Sequence, residues 1–227
     1  MINKIKLLTA IAMLFSLSAC GGGGDGGTAS PVSTPLSIST TPLKNLRQIA
    51  LSSTFSISGS CTGTGTENTG APYATNLYGA TYGKTSVTTL NYTNCTGSGA
   101  STSNIFYDSN FSTLAILSSD GKFTEGTVIK ALPATVKVGD TLTLTNLRMF
   151  ANSSKSAQIQ TGVQSIVVEA DTSMSVILNI VTQGYDSSNR LSLTGQFRYR
   201  LSSDGQVKEL TYKMDSPTGQ TETWTYN

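Results

Sequence analysis

The sequence predicts an all-β, antiparallel fold: a sandwich, or a barrel or half-barrel, built from hairpins and a C-terminal meander. The main observation is strict alternation of apolar and polar residues near the C-terminus, the pattern of strands with one dry face. The apolar set is Leu191, Leu193, Phe197, Tyr199 and Leu201, and the polar set is Ser192, Thr194, Gln196, Arg198 and Arg200. No stretch shows sustained helical periodicity, although residues 42–51 could form a short helix.

Turn signals separate the predicted strands. The pairs Asp120-Gly121 and Asp204-Gly205 favour two-residue hairpin turns, and Pro217-Thr218-Gly219 marks a third turn. The Gly/Thr-rich residues 63–70 are predicted to be a loop. The remaining β-prone runs are residues 53–59, 87–95, 111–117, 122–131, 141–146, 164–170 and 175–183.

Two pairs of charged residues are predicted to share the outer faces of neighbouring strands. Arg198 and Arg200 alternate with the apolar set of one strand, and Glu209 and Lys213 are assigned to the outer face of the next. Cross-strand ion pairing between these strands is the expected role. A patch that recognises an anionic partner is the alternative.

The N-terminus has the features of an export leader. Lys4 and Lys6 precede an apolar run of about thirteen residues, which is shorter than the roughly 20 residues of a transmembrane helix. The run ends in Leu17-Ser18-Ala19-Cys20. This motif resembles the lipobox of bacterial lipoproteins, which reads Leu, then Ala or Ser, then Gly or Ala, then Cys.

The resemblance implies that Cys20 carries acyl chains that hold the protein on a membrane. In Gram-negative members an Asp directly after the Cys favours the inner membrane, and here that residue is Gly21. The expected location is therefore the cell envelope, on the outer membrane, with either a periplasmic or a surface orientation. Beyond the leader, the chain resembles other Gly-tethered lipoproteins.

The composition divides the chain into three parts. Residues 1–19 are the predicted signal peptide, and residues 20–45 are a Gly/Ser/Thr/Pro tether that lacks the apolar residues to fold alone. Residues 46–227 form the β domain, either as one body or as two subdomains, 46–135 and 136–227.

Charge and cysteine content limit the chemistry further. The chain has 15 basic and 13 acidic residues, and loss of Lys4 and Lys6 with the leader leaves a neutral protein without a basic block. We therefore expect no nucleic-acid partner. Cys61 and Cys95 remain after Cys20 is lipidated, and they are predicted to form a disulfide in an oxidising compartment.

No motif in the sequence predicts catalysis. The chain has no histidine, which excludes Ser-His-Asp triads and histidine-ligated zinc. The stretch Gly83-Lys84-Thr85-Ser86 lacks the first glycine of a phosphate-binding loop and is predicted to be a turn. We expect no catalytic residues, no metal and no cofactor.

Three functional hypotheses follow from these observations. The first is a non-catalytic envelope module that has a binding role, with a protein or glycan partner, or a structural role. The second is a carrier in which the C-terminal meander curls around a lipid or small apolar ligand. The third, an enzyme that works without histidine, is the least supported. An apolar cavity inside the sheet of residues 191–224 would favour the carrier, and a filled core would favour the module.

Overall fold

The computed structural model describes residues 36–227, which contain one α-helix, a 3-10 turn and fifteen strands. The helix α1 is Thr41–Leu46 and the 3-10 turn is Leu77–Gly79. The strands are β1 Ser37–Ser39, β2 Leu51–Gly59, β3 Gly63–Thr69, β4 Tyr73–Ala74, β5 Tyr82–Tyr92, β6 Gly99–Tyr107, β7 Thr113–Ser118, β8 Phe123–Gly126, β9 Thr135–Lys137, β10 Thr141–Phe150, β11 Gln158–Thr172, β12 Ser175–Tyr185, β13 Leu191–Ser202, β14 Val207–Asp215 and β15 Thr221–Tyr226.

Twelve strands close into an antiparallel barrel. The order around it is β3-β2-β15-β14-β13-β12-β11-β10-β8-β7-β6-β5, and β3 pairs with β5 to complete the ring. The short β4 pairs with the start of β5. Strands from before and after residue 135 therefore belong to one sheet. The predicted all-β antiparallel fold is confirmed, in its barrel form.

The alternating pattern separates the inside of the barrel from its outside. In β2, Phe55 and Ile57 face inward and are 1% and 4% exposed, whereas the serines and threonine between and beside them face outward. In β13, Phe197 lies between Ile180 of β12 and Tyr212 of β14 on the same inner face. Burial of these side chains is the main stabilisation of the closed sheet.

A small plug, formed by β1, α1 and β9, covers one end of the barrel. Ile38 of β1 pairs with Val136 of β9, and both pack with Leu43 of α1 against the inner wall residues Val176 and Leu201. The fully buried Thr40 donates its hydroxyl to the carbonyl of Pro133, which joins the two halves of the plug. We call this end the plug end.

The opposite end consists of tight turns, and we call it the hairpin end. The turns lie at residues 60–62, 93–98, 119–122, 151–157, 186–190 and 216–220. Gly121 and Gly219 have φ values of 86° and 84° there, a backbone conformation that glycine adopts without strain. Cys61 and Cys95 are disulfide-bonded at this end, with Cα atoms 5.7 Å apart, as predicted.

Some local predictions differ from the structure. Residues 63–70, predicted as a loop, form β3 apart from the last residue, because an inward glycine there makes room for an aromatic ring. A Cβ on Gly65 would lie 2.3 Å from the ring of Phe55. Residues 83–86, predicted as a turn, lie inside β5.

The N-terminal part of the domain begins earlier than the composition suggests. Residues 37–39 and 41–45, assigned to the tether, form β1 and most of α1, because Ile38 and Leu43 are 2% and 3% exposed and belong to the core. The leader, the lipobox with Cys20 and the tether up to residue 35 lie outside the described residues. Among the residues described, no helix is long and apolar enough to span a membrane.

Candidate functional site

Two adjoining cavities lie inside the barrel. The first, which we call the plug chamber, has a volume of about 280 Å³ and is bounded by α1 and the inner wall at the plug end. The second, which we call the mid-barrel chamber, has a volume of about 260 Å³ and extends toward the hairpin end. Both are lined by Thr113, Ile116, Gln164 and Phe197, so the chambers are neighbours. Small-molecule sites occupy roughly 300–1,000 Å³, a range that two adjoining chambers of this size reach together.

The mid-barrel chamber exists because one arc of the wall has small residues at its lining positions. Barrel interiors are normally filled by large side chains. Along β7, β8, β10, β12 and β13, the inward lining residues instead include Thr113, Thr124, Gly126, Thr145, Thr182 and Gly195. Larger apolar residues complete the lining, namely Leu114, Ile116, Leu147, Met149, Leu193, Phe197 and Tyr212.

Aromatic residues fill the other side of the barrel. The rings of Phe55 and Trp224 stack with centroids 4.5 Å apart, and Tyr212 meets Trp224 edge-on at 5.0 Å. Phe197 stacks on Tyr212 with centroids 4.3 Å apart. These rings pack against one another across β2, β13, β14 and β15, so they form a rigid wall that faces the chambers.

The plug chamber differs from its neighbour in carrying ionisable groups. Lys84 of β5 is 3% exposed, and its ammonium donates hydrogen bonds to the carbonyls of Ile49 and Leu46, at 2.7 and 3.4 Å. Burial lowers the pKa of Lys84, and the nearby Glu67 carboxylate opposes that shift. Arg47 of the segment after α1 also lines the chamber and donates to the carbonyl of Phe111 at 2.6 Å.

Two carboxylates face the same chamber. Glu67 of β3 accepts hydrogen bonds from the hydroxyls of Ser86 and Tyr226, at 3.0 and 3.1 Å. Glu209 of β14 lies beside Tyr199. Burial raises the pKa of Glu209 to about 7, the negative charge of Glu67 adds to the rise, and the Tyr199 hydroxyl opposes it. A carboxyl group in this state can take up or release a proton near neutral pH.

Glu209 faces the chamber because of a β-bulge. The pairing of β13 with β14 shifts by one residue between Arg198 and Tyr199, so that Tyr199 lies opposite Glu209. A one-residue shift reverses the faces of all residues beyond it. The predicted outward position of Glu209 is therefore wrong, while Tyr212 remains on the inner face.

The outward arginines form ion pairs with a different strand from the one predicted. Arg198 pairs with Glu169, and Arg200 pairs with Asp171 at 2.7 Å, both on β11 across the intervening β12. Hydrogen bonding from Arg200 lowers the pKa of Asp171. Lys213 pairs with Asp215 of its own strand at 2.9 Å. Cross-strand pairing therefore occurs, but with β11, two strands away.

A third carboxylate, Glu222, lies inside the barrel near the hairpin end of β15. It accepts hydrogen bonds from the hydroxyl of Tyr92 at 3.0 Å and from the indole nitrogen of Trp224 at 2.5 Å. Burial, together with the bond to Glu222, raises the pKa of Tyr92 to about 12. Glu222 thus joins Tyr92 to Trp224, and these hydrogen bonds hold Trp224 in position in the aromatic wall.

The structure describes two of the three predicted site residues. The Cys61–Cys95 disulfide is present, and Cys20 lies outside the described residues. Residues 36–227 contain no group of three or more acidic or cysteine side chains that could hold a metal ion. The residues that line the chambers were not predicted as a site, because their inward direction depends on barrel closure and on the bulge in β14.

The fold and site together define a closed β-barrel with a plugged end and an internal cavity that is apolar in its middle and ionisable under the plug. No protein-family model matches the chain, and neither a curated protein nor a solved structure matches it.

Proposed function

We propose that this protein is a lipid-anchored envelope protein whose barrel binds and carries a small amphipathic molecule. The observation that carries the proposal is the mid-barrel chamber, an apolar cavity on the inner face of the meander of residues 191–224. Phe197, Gly195 and Leu193 of β13 and Tyr212 of β14 line it. A filled core at this position would instead have favoured a module that binds partners on its surface.

The two chambers suit the two ends of an amphipathic ligand. An apolar body in the mid-barrel chamber gains about 0.8 kcal/mol for each buried CH₂ group. A polar head in the plug chamber would meet Lys84, Arg47, Glu67 and Glu209, which offer donors and acceptors within one cavity. The chambers adjoin at Gln164 and Phe197, so one ligand can occupy both.

The anchor in this proposal is the acylated Cys20 of the lipobox. Two or three acyl chains hold a protein firmly on a bilayer, whereas one chain binds only marginally. A barrel held at the membrane surface would meet membrane-derived or envelope molecules at high local concentration. The hypothesis of an enzyme has no part in this proposal, which requires only that the barrel binds a ligand.

Filling the chamber tests the proposal. A Cβ on Gly195 would lie 3.5 Å from the Tyr212 ring, an ordinary contact, so Gly195→Leu can extend into the chamber without a backbone clash. We expect Gly195→Leu to bind the apolar fluorescent probe N-phenyl-1-naphthylamine at least tenfold more weakly than the wild type, because the side chain occupies the probe's volume.

The matched control is Thr194→Leu, which adds a similar side chain at the next position of β13, on the outer face. It should bind the probe like the wild type, and thermal melts should show that both variants are folded. Native mass spectrometry of protein purified without detergent would show whether a ligand co-purifies. Equal probe binding by Gly195→Leu and Thr194→Leu would refute an internal site.

A further inference from the structure

Exposed apolar side chains are concentrated at the plug end of the barrel. Five large ones lie there, four in connecting segments and one in β4: Ile49, Val128, Val138, Met174 and Tyr73, which are 51%, 56%, 43%, 63% and 44% exposed. Leu77 and Tyr78 of the 3-10 turn that follows β4 are 53% and 39% exposed. The first five lie beside the plug ends of β2, β5, β8, β10 and the β11–β12 turn; we call this set the plug rim. The hairpin end exposes Ile159 and Leu191, at 37% and 42%.

The two ends also differ in whether their basic side chains form ion pairs. Four lysines at the plug end form no ion pair with any described residue, namely Lys44, Lys130, Lys137 and Lys208. At the hairpin end, Lys122 pairs with Asp120 and Lys155 with Glu125, and the arginine of the 186–190 turn is paired likewise.

Three plug-end aspartates bond to their own turns and form no ion pair with these four lysines among the described residues, so four lysines stand beside three carboxylates. Asp108, Asp140 and Asp204 each accept hydrogen bonds from backbone N–H groups of their own turns, at 2.8 to 3.1 Å. Such bonds hold the carboxylates against their own turns. Lys130, Lys137 and Lys208 are exposed, so the rim offers free ammonium groups beside exposed apolar side chains.

The described chain enters the barrel at this same end. Leu36 leads directly into β1 of the plug, and only residues 21–35 separate it from Cys20. The composition of residues 21–35 predicts a flexible tether, and a tether of that length has a root-mean-square reach of roughly 20 Å. A strand of twelve residues, the length of β13, spans about 40 Å when straight. Because the described chain begins at the plug end, the proposed anchor at Cys20 would restrain this end more than the hairpin end.

We propose that the plug rim rests on the surface of a bilayer that contains anionic phospholipids. Exposed apolar side chains enter the headgroup region, and each lysine near an anionic surface adds an electrostatic attraction. The anchor of the proposed function brings the rim to the bilayer, but the apolar and basic character of the rim is independent of it. The plug chamber then lies next to the membrane.

Tryptophan substitutions at the two ends test this orientation. Met174→Trp and Leu191→Trp place the same fluorophore at exposed positions of the plug end and the hairpin end, over a constant background from Trp224. The full chain is titrated to saturation with phosphatidylcholine vesicles that contain one quarter phosphatidylglycerol and brominated acyl chains. We expect bromine to quench the new tryptophan at least twofold more in Met174→Trp than in Leu191→Trp.

Charge variants separate the electrostatic part of the contact. Lys130→Glu with Lys137→Glu, made on Met174→Trp, should reduce the quenching by at least half, whereas Lys122→Glu at the hairpin end should not. Equal quenching at residues 174 and 191, or stronger quenching at 191, would overturn the proposal. Vesicle flotation reports the Cys20 anchor and probe binding reports the chambers, so failure of either is seen separately from failure of the rim.

Discussion

At the scale of single residues, Glu209 shows how one irregularity changes the interior of the barrel. The bulge between Arg198 and Tyr199 turns the carboxyl group of Glu209 into the plug chamber, beside Tyr199 and within electrostatic range of Glu67. Burial of a carboxylate without a cation that pairs with it favours the protonated form. The pKa of about 7 is the consequence of that position.

The raised pKa of Glu209 predicts a pH dependence of stability. The ordinary pKa of the unfolded group is 4.5 and the folded value is about 7. The protonated group therefore favours the folded state, fully below pH 4.5, and this contribution is lost as the pH rises through 7. It amounts to at most about 3 kcal/mol. Glu209→Gln should lack this loss, so its free energy of unfolding should rise relative to wild type between pH 5 and pH 8.

Urea denaturation at pH 5, 6, 7 and 8 measures the difference between wild type and Glu209→Gln. The exposed turn residue Asp204 provides the control, since Asp204→Asn removes one carboxyl group that does not face the chamber. If the curves of wild type and Glu209→Gln run parallel from pH 5 to pH 8, the carboxyl group does not titrate as described.

The sequence could not have predicted the direction of Glu209. Alternation along β14 assigned it to the outer face with Lys213, and that assignment was correct only beyond the bulge. A bulge leaves no signal here, because the residues around it contain neither glycine nor proline. The role of Gly65 was hidden for a related reason: the ring of Phe55 that requires a glycine is contributed by another strand.

At the scale of elements, hairpins were predictable and the plug was not. Asp120-Gly121 and Asp204-Gly205 are turns between β7 and β8 and between β13 and β14, since each glycine supplies the positive φ that its turn needs. The plug consists of short pieces from residues 37–46 and 135–137, each too short to show a period of its own. Their burial depends on the barrel that they cover.

The plug should depend on Lys84 for its local stability. The ammonium of Lys84 is bonded to the carbonyls of Leu46 and Ile49, so it ties the end of α1 to the wall. Lys84→Met keeps the aliphatic stem and removes both bonds, each of which contributes about 1.5–3 kcal/mol when one partner is charged. We expect amide hydrogen exchange in residues 41–50 to become at least tenfold faster, with β12 unchanged.

The exposed lysine Lys208 supplies the comparison for that experiment, because Lys208→Met changes charge equally without touching α1. Exchange in residues 41–50 should then remain at the wild-type rate. Unchanged exchange in Lys84→Met would mean that apolar contacts of Leu43 hold the plug without help from the ammonium.

The disulfide is an element-scale constraint at the opposite end. Cys61 and Cys95 are 34 residues apart in sequence and join the β2–β3 turn to the β5–β6 turn. Constraining a loop of that length in the unfolded chain stabilises the folded state by about 3–4 kcal/mol in the chain-entropy model. Cys61→Ala with Cys95→Ala should lower the free energy of unfolding by this amount, measured in urea.

Probe binding should survive the loss of the disulfide, since neither cysteine lines a chamber. A double variant that loses less than about 1 kcal/mol would show that the unfolded chain is already restricted near these residues. Loss of probe binding, in contrast, would show that the hairpin end contributes to the shape of the interior.

At the scale of the whole molecule, the sequence indicated the class of fold but left its closure open. Alternating strands with polar outer faces occur in sandwiches, half-barrels and barrels alike. Closure of the sheet into a barrel depends on the pairing of β3 with β5. The inner residues of β3 include Gly63 and Gly65. That pairing makes the interior a closed space, and the small residues of β8, β10, β12 and β13 then leave the cavity that a sandwich would have filled.

Membrane attachment through Cys20 is the last prediction for the whole molecule, and it would place the barrel where a carrier acts. The predicted anchor is the sulfur atom of Cys20 in the stretch Leu17-Ser18-Ala19-Cys20, which resembles a lipobox. Cys20→Ser should therefore abolish incorporation of labelled palmitate and move the protein from the membrane fraction to the soluble fraction.

Ser18→Ala is the matched control, because the lipobox accepts either residue at that position, and it should be labelled and retained like wild type. Membrane retention of unlabelled Cys20→Ser would mean that the plug rim or a partner protein holds the barrel there, and the acyl anchor would have to be abandoned.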